Sequence, residues 1–198
     1  MIRAVLFDVG GTLHEVYHDQ GAADQFSQRL LDILSAHGIS LPISAEALTP
    51  LLHENAETYK HWSEESRIEL PSSRIWNEFY LKDFQIGEAL LAPMSEELSW
   101  MYDATRVRNV PRPHMRETIE TLHEMGMVQG IISNMISTSF VPRLVEDYGI
   151  APYMSCLVIS AAAGIRKPDP AIFELAASQC GVPCCLLYTS PSPRDMRR

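Results

Sequence analysis

The chain begins with an apolar run, Ile2-Arg3-Ala4-Val5-Leu6-Phe7, that delivers a carboxylate, Asp8, straight into a glycine turn, Val9-Gly10-Gly11-Thr12-Leu13. A short apolar, partly β-branched run bounded by glycines reads as a buried strand. In open α/β sheets the working residues stand just beyond the carboxyl ends of the strands, so Asp8 is expected at the lip of a crevice.

From about residue 111 onward, helical and strand patterns alternate in the rhythm of βαβ units and a parallel sheet. Helices are expected over 113–124, over 141–148 with Gly149 as the stop, and over 170–178 with Pro170 in the first turn and Asp169 as cap. Strands are expected over 127–132 and 156–159, and a last one beginning at Cys184 and Cys185. The fold class is therefore α/β, a doubly wound, Rossmann-like parallel sheet.

Residues 14–110 interrupt this rhythm with a long helical stretch. Phe26, Leu30, Ile33 and Leu34 fall on one face of a helix that Gly38 would end, and Ser72 and Ser95-Glu96-Glu97 read as helix starts. Trp62, Trp76 and Trp100 supply aromatic area for a small separate core. The domain reading is a core of residues 1–13 and 111–185, a helical cap of 14–110, and a tail of 186–198. In the cap, Lys60, Arg67, Arg74 and Lys82 are the cations that could reach a substrate, although charges on such helices usually form a solvated face.

A chain of 198 residues, 46% hydrophobic and 21% charged, suits a compact soluble protein. No secretory signal pattern is visible at the start, and no apolar run approaches the eighteen or so residues that a membrane helix requires; a cytoplasmic protein without a membrane partner is expected. The net charge of −9 argues against nucleic acid as a partner. It is compatible with a small phosphorylated molecule held by a few local cations. The four cysteines lack paired C-x-x-C spacing and read as buried thiols rather than a zinc ribbon or a disulfide framework. Oligomeric state is open.

Phe7-Asp8-Val9-Gly10-Gly11-Thr12-Leu13 resembles the first motif, D-x-D-G-T, of the haloacid dehalogenase superfamily. Met127-Val128-Gln129-Gly130-Ile131-Ile132-Ser133-Asn134 resembles the second, and Gly164-Ile165-Arg166-Lys167-Pro168-Asp169-Pro170 the third. The resemblance implies a Mg²⁺-dependent phosphohydrolase in which Asp8 attacks phosphorus and Lys167 holds the nucleophile and phosphate by charge. Gly11, Thr12, Ser133 and Asn134, with backbone amides from Val9 to Gly11, would bind phosphate, and Asp8 with the Gly10 carbonyl would hold the metal. Two departures stand out. Gly10 occupies the place of the second Asp, which in such phosphatases protonates the leaving oxygen. A fourth motif, a strand ending in Gly-Asp, does not follow Cys185. Residues 186–198, which hold two prolines, resemble a translated sequencing adapter, so a shortened C-terminus with impaired activity and an exposed strand edge prone to association is expected.

Three alternatives stay open. The first is a catalytically inactive relative that binds a ligand or protein. The second is C–halogen hydrolysis, whose leaving group needs no proton. The third is a zinc hydrolase using His14-Glu15-Val16-Tyr17-His18, which matches H-E-x-x-H and would require a helix there. Asp169 is read as a helix cap and Arg166 as a surface cation, both outside the site.

Overall fold

The computed structural model describes residues 2–189. Ala4–Phe7 forms β1, with all four side chains buried, and His14–Tyr17 forms β2. The helical stretch follows: α1 (Gln20–Ala36), α2 (Ala45–Ser66), α3 (Ser72–Ile75), α4 (Glu88–Leu91) and α5 (Ser95–Thr105). Arg108–Pro111 (β3) returns antiparallel to β2, so the way into and out of the helical insertion is one two-stranded ribbon. Then come α6 (Met115–Glu124), β4 (Val128–Ser133), α7 (Phe140–Asp147), β5 (Cys156–Ile159), α8 (Ser160–Ala163), α9 (Pro170–Gln179) and β6 (Leu187–Thr189).

The main sheet has the order β5-β4-β1-β6, and every pairing in it is parallel. Alternation along each strand sends side chains to two apolar layers. Val5, Phe7, Ile131 and Ile159 meet Ile119 of α6 and Phe140, Val141 and Leu144 of α7. Leu6, Ile132 and Val158 meet Ile172 and Ala176 of α9. Helices thus cover both faces, the doubly wound arrangement. The register Ala4↔Val128 to Phe7↔Ile131 brings the carboxyl ends of β1 and β4 level, which sets Asp8 beside Ser133.

The centre of the sheet is tightly built at Gly130. A methyl group there would stand 2.4 Å from Cys156 Sγ and 3.0 Å from both the Cys156 carbonyl oxygen and Leu6 Cδ2. Overpacking of this kind costs about 1–3 kcal/mol. Gly130→Ala is therefore expected to lower the unfolding free energy by about 2 kcal/mol in a denaturant titration; an unchanged midpoint would contradict the packing described.

The insertion has its own core. Phe26, Leu30 and Leu34 of α1 pack with Leu48, Leu52 and Tyr59 of α2, and with Leu98 and Tyr102 of α5 around Trp76. Trp76 is fully buried and donates Nε1–H to Ser99 Oγ at 2.9 Å, while Trp62 and Trp100 pack at its margin. Asp19 caps α1 by accepting from the Ala22 N–H, and Gly38, at φ 78°, ends it in a conformation that a side chain disfavours.

The C-terminal edge differs from expectation. Cys184–Leu186 forms a short helical turn after Pro183, so Cys184 and Cys185 are exposed and precede the strand instead of starting it. The strand is Leu187–Thr189, paired with β1 as Ala4↔Leu187 and Leu6↔Thr189. The sheet therefore continues past residue 185 to Thr189, because three residues of the expected tail have free β1 backbone groups to pair with. Residues 190–198 of that tail lie outside the described residues. Among the described residues, no helix is long and apolar enough to cross a membrane.

Candidate active site

Asp8 follows β1 directly, and three donors from separate parts of the chain converge on its Oδ1. The Val9 N–H donates at 2.8 Å, Ser133 Oγ, from the end of β4, donates at 3.1 Å, and Lys167 Nζ stands 2.9 Å away. The side chains of Asp8 and Lys167 are only 13% and 19% exposed, so the pair is screened much less than a surface ion pair. The orientation of the carboxylate is set by these three contacts together.

Asn134 faces Lys167. Its Nδ2 donates to the Lys167 carbonyl at 3.0 Å, and its Oδ1 accepts from the Lys167 N–H at 2.8 Å. Asn134, expected as a phosphate ligand, thus clamps the backbone of the lysine. The turn after Asp8 is closed by its own backbone. The Gly11 N–H donates to the His14 carbonyl at 2.7 Å and the Thr12 N–H to the Val9 carbonyl at 3.1 Å. With the Val9 N–H on Asp8, the amides of positions 9, 11 and 12 are engaged within the protein, because the turn must satisfy its own backbone. Gly11 adopts φ 78°, which the turn requires. Gly10 does not: its φ lies outside the left-handed region, and an added Cβ would meet only Val16 Cγ2, at an ordinary 3.8 Å.

Three carboxylates from the insertion, none of them expected to matter, hold the loops around this cluster. Asp103 of α5 is half-buried and accepts from the backbone N–H of Ile136 at 3.2 Å and Ser137 at 3.0 Å, just beyond Asn134. Burial pushes its carboxyl up to about 7, against those donors and Arg106. Glu96 accepts from the Ser137 and Ser139 hydroxyls at 2.7 and 2.8 Å; although burial opposes it, these and two backbone N–H groups hold its carboxyl below the usual range. Glu69 is fully buried between Tyr59 Oη, Ser160 Oγ and Arg166 Nη1. Burial pushes it up, opposed by Arg166 and the two hydroxyls. Arg166, expected at the surface, is thus an inward-facing partner with only 11% of its side chain exposed.

Two of the cap cations are paired with neighbouring carboxylates. Arg74 pairs with Glu78, four residues on, at 2.6 Å, and Lys60 with Glu57 along α2, both on the surface. Arg67 ends α2 in the left-handed region. A groove of about 620 Å³ between α1, α5 and α7, lined by Arg29, Asp32, Glu96, Trp100 and Arg143 among others, includes none of the Asp8 cluster.

The zinc reading fails on secondary structure. His14-Glu15-Val16-Tyr17 is strand β2, not a helix, so His14 and His18 lie roughly 13 Å apart along extended chain. His14 is 2% exposed, and its Nδ1 is 3.0 Å from Tyr148 Oη. Glu15 faces Arg112 at 3.6 Å. No group of three or more metal-ligating side chains occurs among the described residues.

Burial lowers the His14 pKa to about 4, partly offset by Asp8. Unfolded, this imidazole takes its proton below about 6.5, whereas folded it does so only near 4. Its contribution to stability is thus full above that window and lost as pH falls through it. Relative to His14→Gln, the wild type should lose up to about 1.4 kcal/mol per pH unit between pH 6.5 and 4. The raised Asp103 acts in the opposite sense, its stability loss growing as pH rises towards 7, and is common to both proteins. Parallel pH profiles for the two would refute a neutral buried His14.

A family model described as haloacid dehalogenase-like hydrolase matches residues 2–186. The chain is 27% identical over 173 residues to a phosphoglycolate phosphatase of Vibrio parahaemolyticus, covering 85% of this chain and 66% of that protein. It is 27% identical over 182 residues to a glyceraldehyde 3-phosphate phosphatase of Methanopyrus kandleri, covering 92% and 72%. The chain thus spans about two thirds to three quarters of the length of these relatives. Its fold matches that of CbbY from Rhodobacter sphaeroides in complex with phosphate, with a TM-score of 0.56 at 18% identity over 96% of this chain and 77% of that one. A match across nearly the whole described chain, with Asp8, Ser133 and Lys167 brought together at the strand ends, leads to one conclusion: the chain belongs to the haloacid dehalogenase-like hydrolases.

Proposed function

We propose that the protein hydrolyses a phosphate ester or anhydride of a small molecule through an aspartyl-phosphate on Asp8. The observation that carries this reading is the convergence of Lys167 and Ser133 on one oxygen of Asp8, at the carboxyl end of the central strands. A carboxylate oxygen attacks phosphorus, the bond from phosphorus to the leaving oxygen breaks, and water later cleaves the acyl phosphate to return the carboxylate and release inorganic phosphate. Lys167 offsets the repulsion between Asp8 and an incoming phosphate, and Ser133 keeps the carboxylate turned towards it. The activities named for the two relatives support a small phosphorylated substrate.

Mg²⁺ fits the donors present. It is commonly held by one or two carboxylates together with substrate phosphate and water. The Asp8 carboxylate and the Gly10 carbonyl are the groups that would hold it, and when bound it neutralises charge on the transferring phosphoryl group. The helical insertion is assigned as the cap, because its three carboxylates grip the loops that frame Asp8. Gly10 has no proton to give, so the leaving group departs as an anion or takes its proton from water. That same glycine is the observation favouring the second reading, a binding module without turnover.

The test is hydrolysis of p-nitrophenyl phosphate with Mg²⁺ and with EDTA. Metal-dependent release of nitrophenolate supports the hydrolase; no turnover of this or of acetyl phosphate, both with good leaving groups, moves the assignment to binding alone.

A further inference from the structure

We propose that Glu69, supplied by the helical insertion, is a positioning residue for Lys167, so that the ammonium stands at Asp8 only while residues 67–70 are docked on the core. The proposal rests on the hydrolase reading for its catalytic consequence, but not for its structural one.

The segment 164–167 is held from two sides. On the core side, Asn134 grips the backbone N–H and carbonyl of Lys167. On the insertion side, residues 67–69 form a short antiparallel contact with 164–166: the Glu69 N–H donates to the Gly164 carbonyl at 3.1 Å, and the Arg166 N–H to the Arg67 carbonyl at 2.9 Å, around the pair Ile68↔Ile165. The side chain of Glu69 completes the grip. It ties Arg166, the residue next to Lys167, to Ser160 at the start of α8 and to Tyr59 of α2. Ser160, whose hydroxyl donates to Glu69, in turn accepts the Met135 N–H at 2.9 Å, linking this node back to the Asn134 loop.

An exposed ion pair would contribute little here, but this one is not exposed: the Glu69 side chain is 0% accessible. Breaking a buried pair strands a charge, so the segment it anchors must move to resolvate it. The atoms that would move first are those of Arg166, one peptide unit from the lysine that faces the nucleophile. Placement of Lys167 is thereby coupled to docking of the insertion, and the cluster at Asp8 is complete only in the docked state.

The experiment compares wild type, Glu69→Gln and Arg166→Leu by backbone hydrogen–deuterium exchange and by kinetics on p-nitrophenyl phosphate. Arg166→Leu leaves Glu69 able to neutralise by protonation, so it remains informative if Glu69→Gln does not fold. The expected result is exchange at least tenfold faster in the peptide spanning 164–169, with β4 and α2 peptides unchanged. With it, kcat should fall about tenfold while KM moves less than threefold. Unchanged exchange at 164–169 overturns the proposal, as does equal acceleration in β4 and α2, which marks general loss of stability. If the wild type shows no turnover, the hydrolase reading fails by itself, and the exchange data still decide whether Glu69 holds the lysine segment.

Discussion

Asp8→Asn is expected to reduce Mg²⁺-dependent hydrolysis of p-nitrophenyl phosphate by about three orders of magnitude or more, the scale on which loss of a nucleophile is felt. The substitution is close to isosteric, and an amide oxygen still accepts from Ser133 and Val9, so the turn after β1 keeps its hydrogen bonds. What is lost is the nucleophilic charge and the counterion of Lys167. Because both side chains retain some solvent contact, the stability cost should be only about 1–2 kcal/mol, well under that of breaking a fully buried pair. A folded variant that kept a tenth or more of wild-type turnover would remove Asp8 from the nucleophile's role.

Gly10→Asp is expected to act in the opposite direction, raising turnover of alkyl phosphates by about two orders of magnitude, the low end of what general acid catalysis supplies. Two structural facts make the substitution feasible: position 10 has an ordinary backbone conformation, and a Cβ there meets nothing closer than Val16 Cγ2 at 3.8 Å. A carboxyl so close to Asp8 would have its pKa raised by the like charge, which suits a proton donor. The effect should depend on the leaving group. Nitrophenolate departs without help and should gain little, whereas an alkoxide needs the proton and should gain most. The measurement is the ratio of kcat/KM for an alkyl phosphate to that for p-nitrophenyl phosphate in the two proteins. An unchanged ratio in a folded variant would show that a missing acid does not limit this site.

Much of this arrangement was legible in the linear chain, because parallel-sheet proteins write their chemistry into local patterns. The apolar run before Asp8, the strand before Ser133-Asn134 and the Asp169-Pro170 helix start each carry their own signal, and the structure places them at β1, β4 and α9. The H-E-x-x-H match was misleading for the same reason: a five-residue pattern does not specify the helix it needs, and pairing with β3 made that stretch a strand. Leu187–Thr189 was missed because three residues followed by prolines carry little strand signal until β1 offers them a ladder.

The roles of Glu69, Glu96, Asp103 and Arg166 were not legible at all. On a helix or loop, a buried acid and a solvated one are written with the same letter, and only the approach of distant donors distinguishes them. Local sequence determined the strand-end placement of Asp8 and Ser133 and the absence of an acid at position 10, since these follow from hydrophobic periodicity and residue identity. Tertiary structure alone decided that Asn134 clamps a lysine and that the insertion grips the catalytic loops. Those depend on hydrogen bonds between groups 33 to 97 residues apart, which exist only after the sheet and the insertion have packed together.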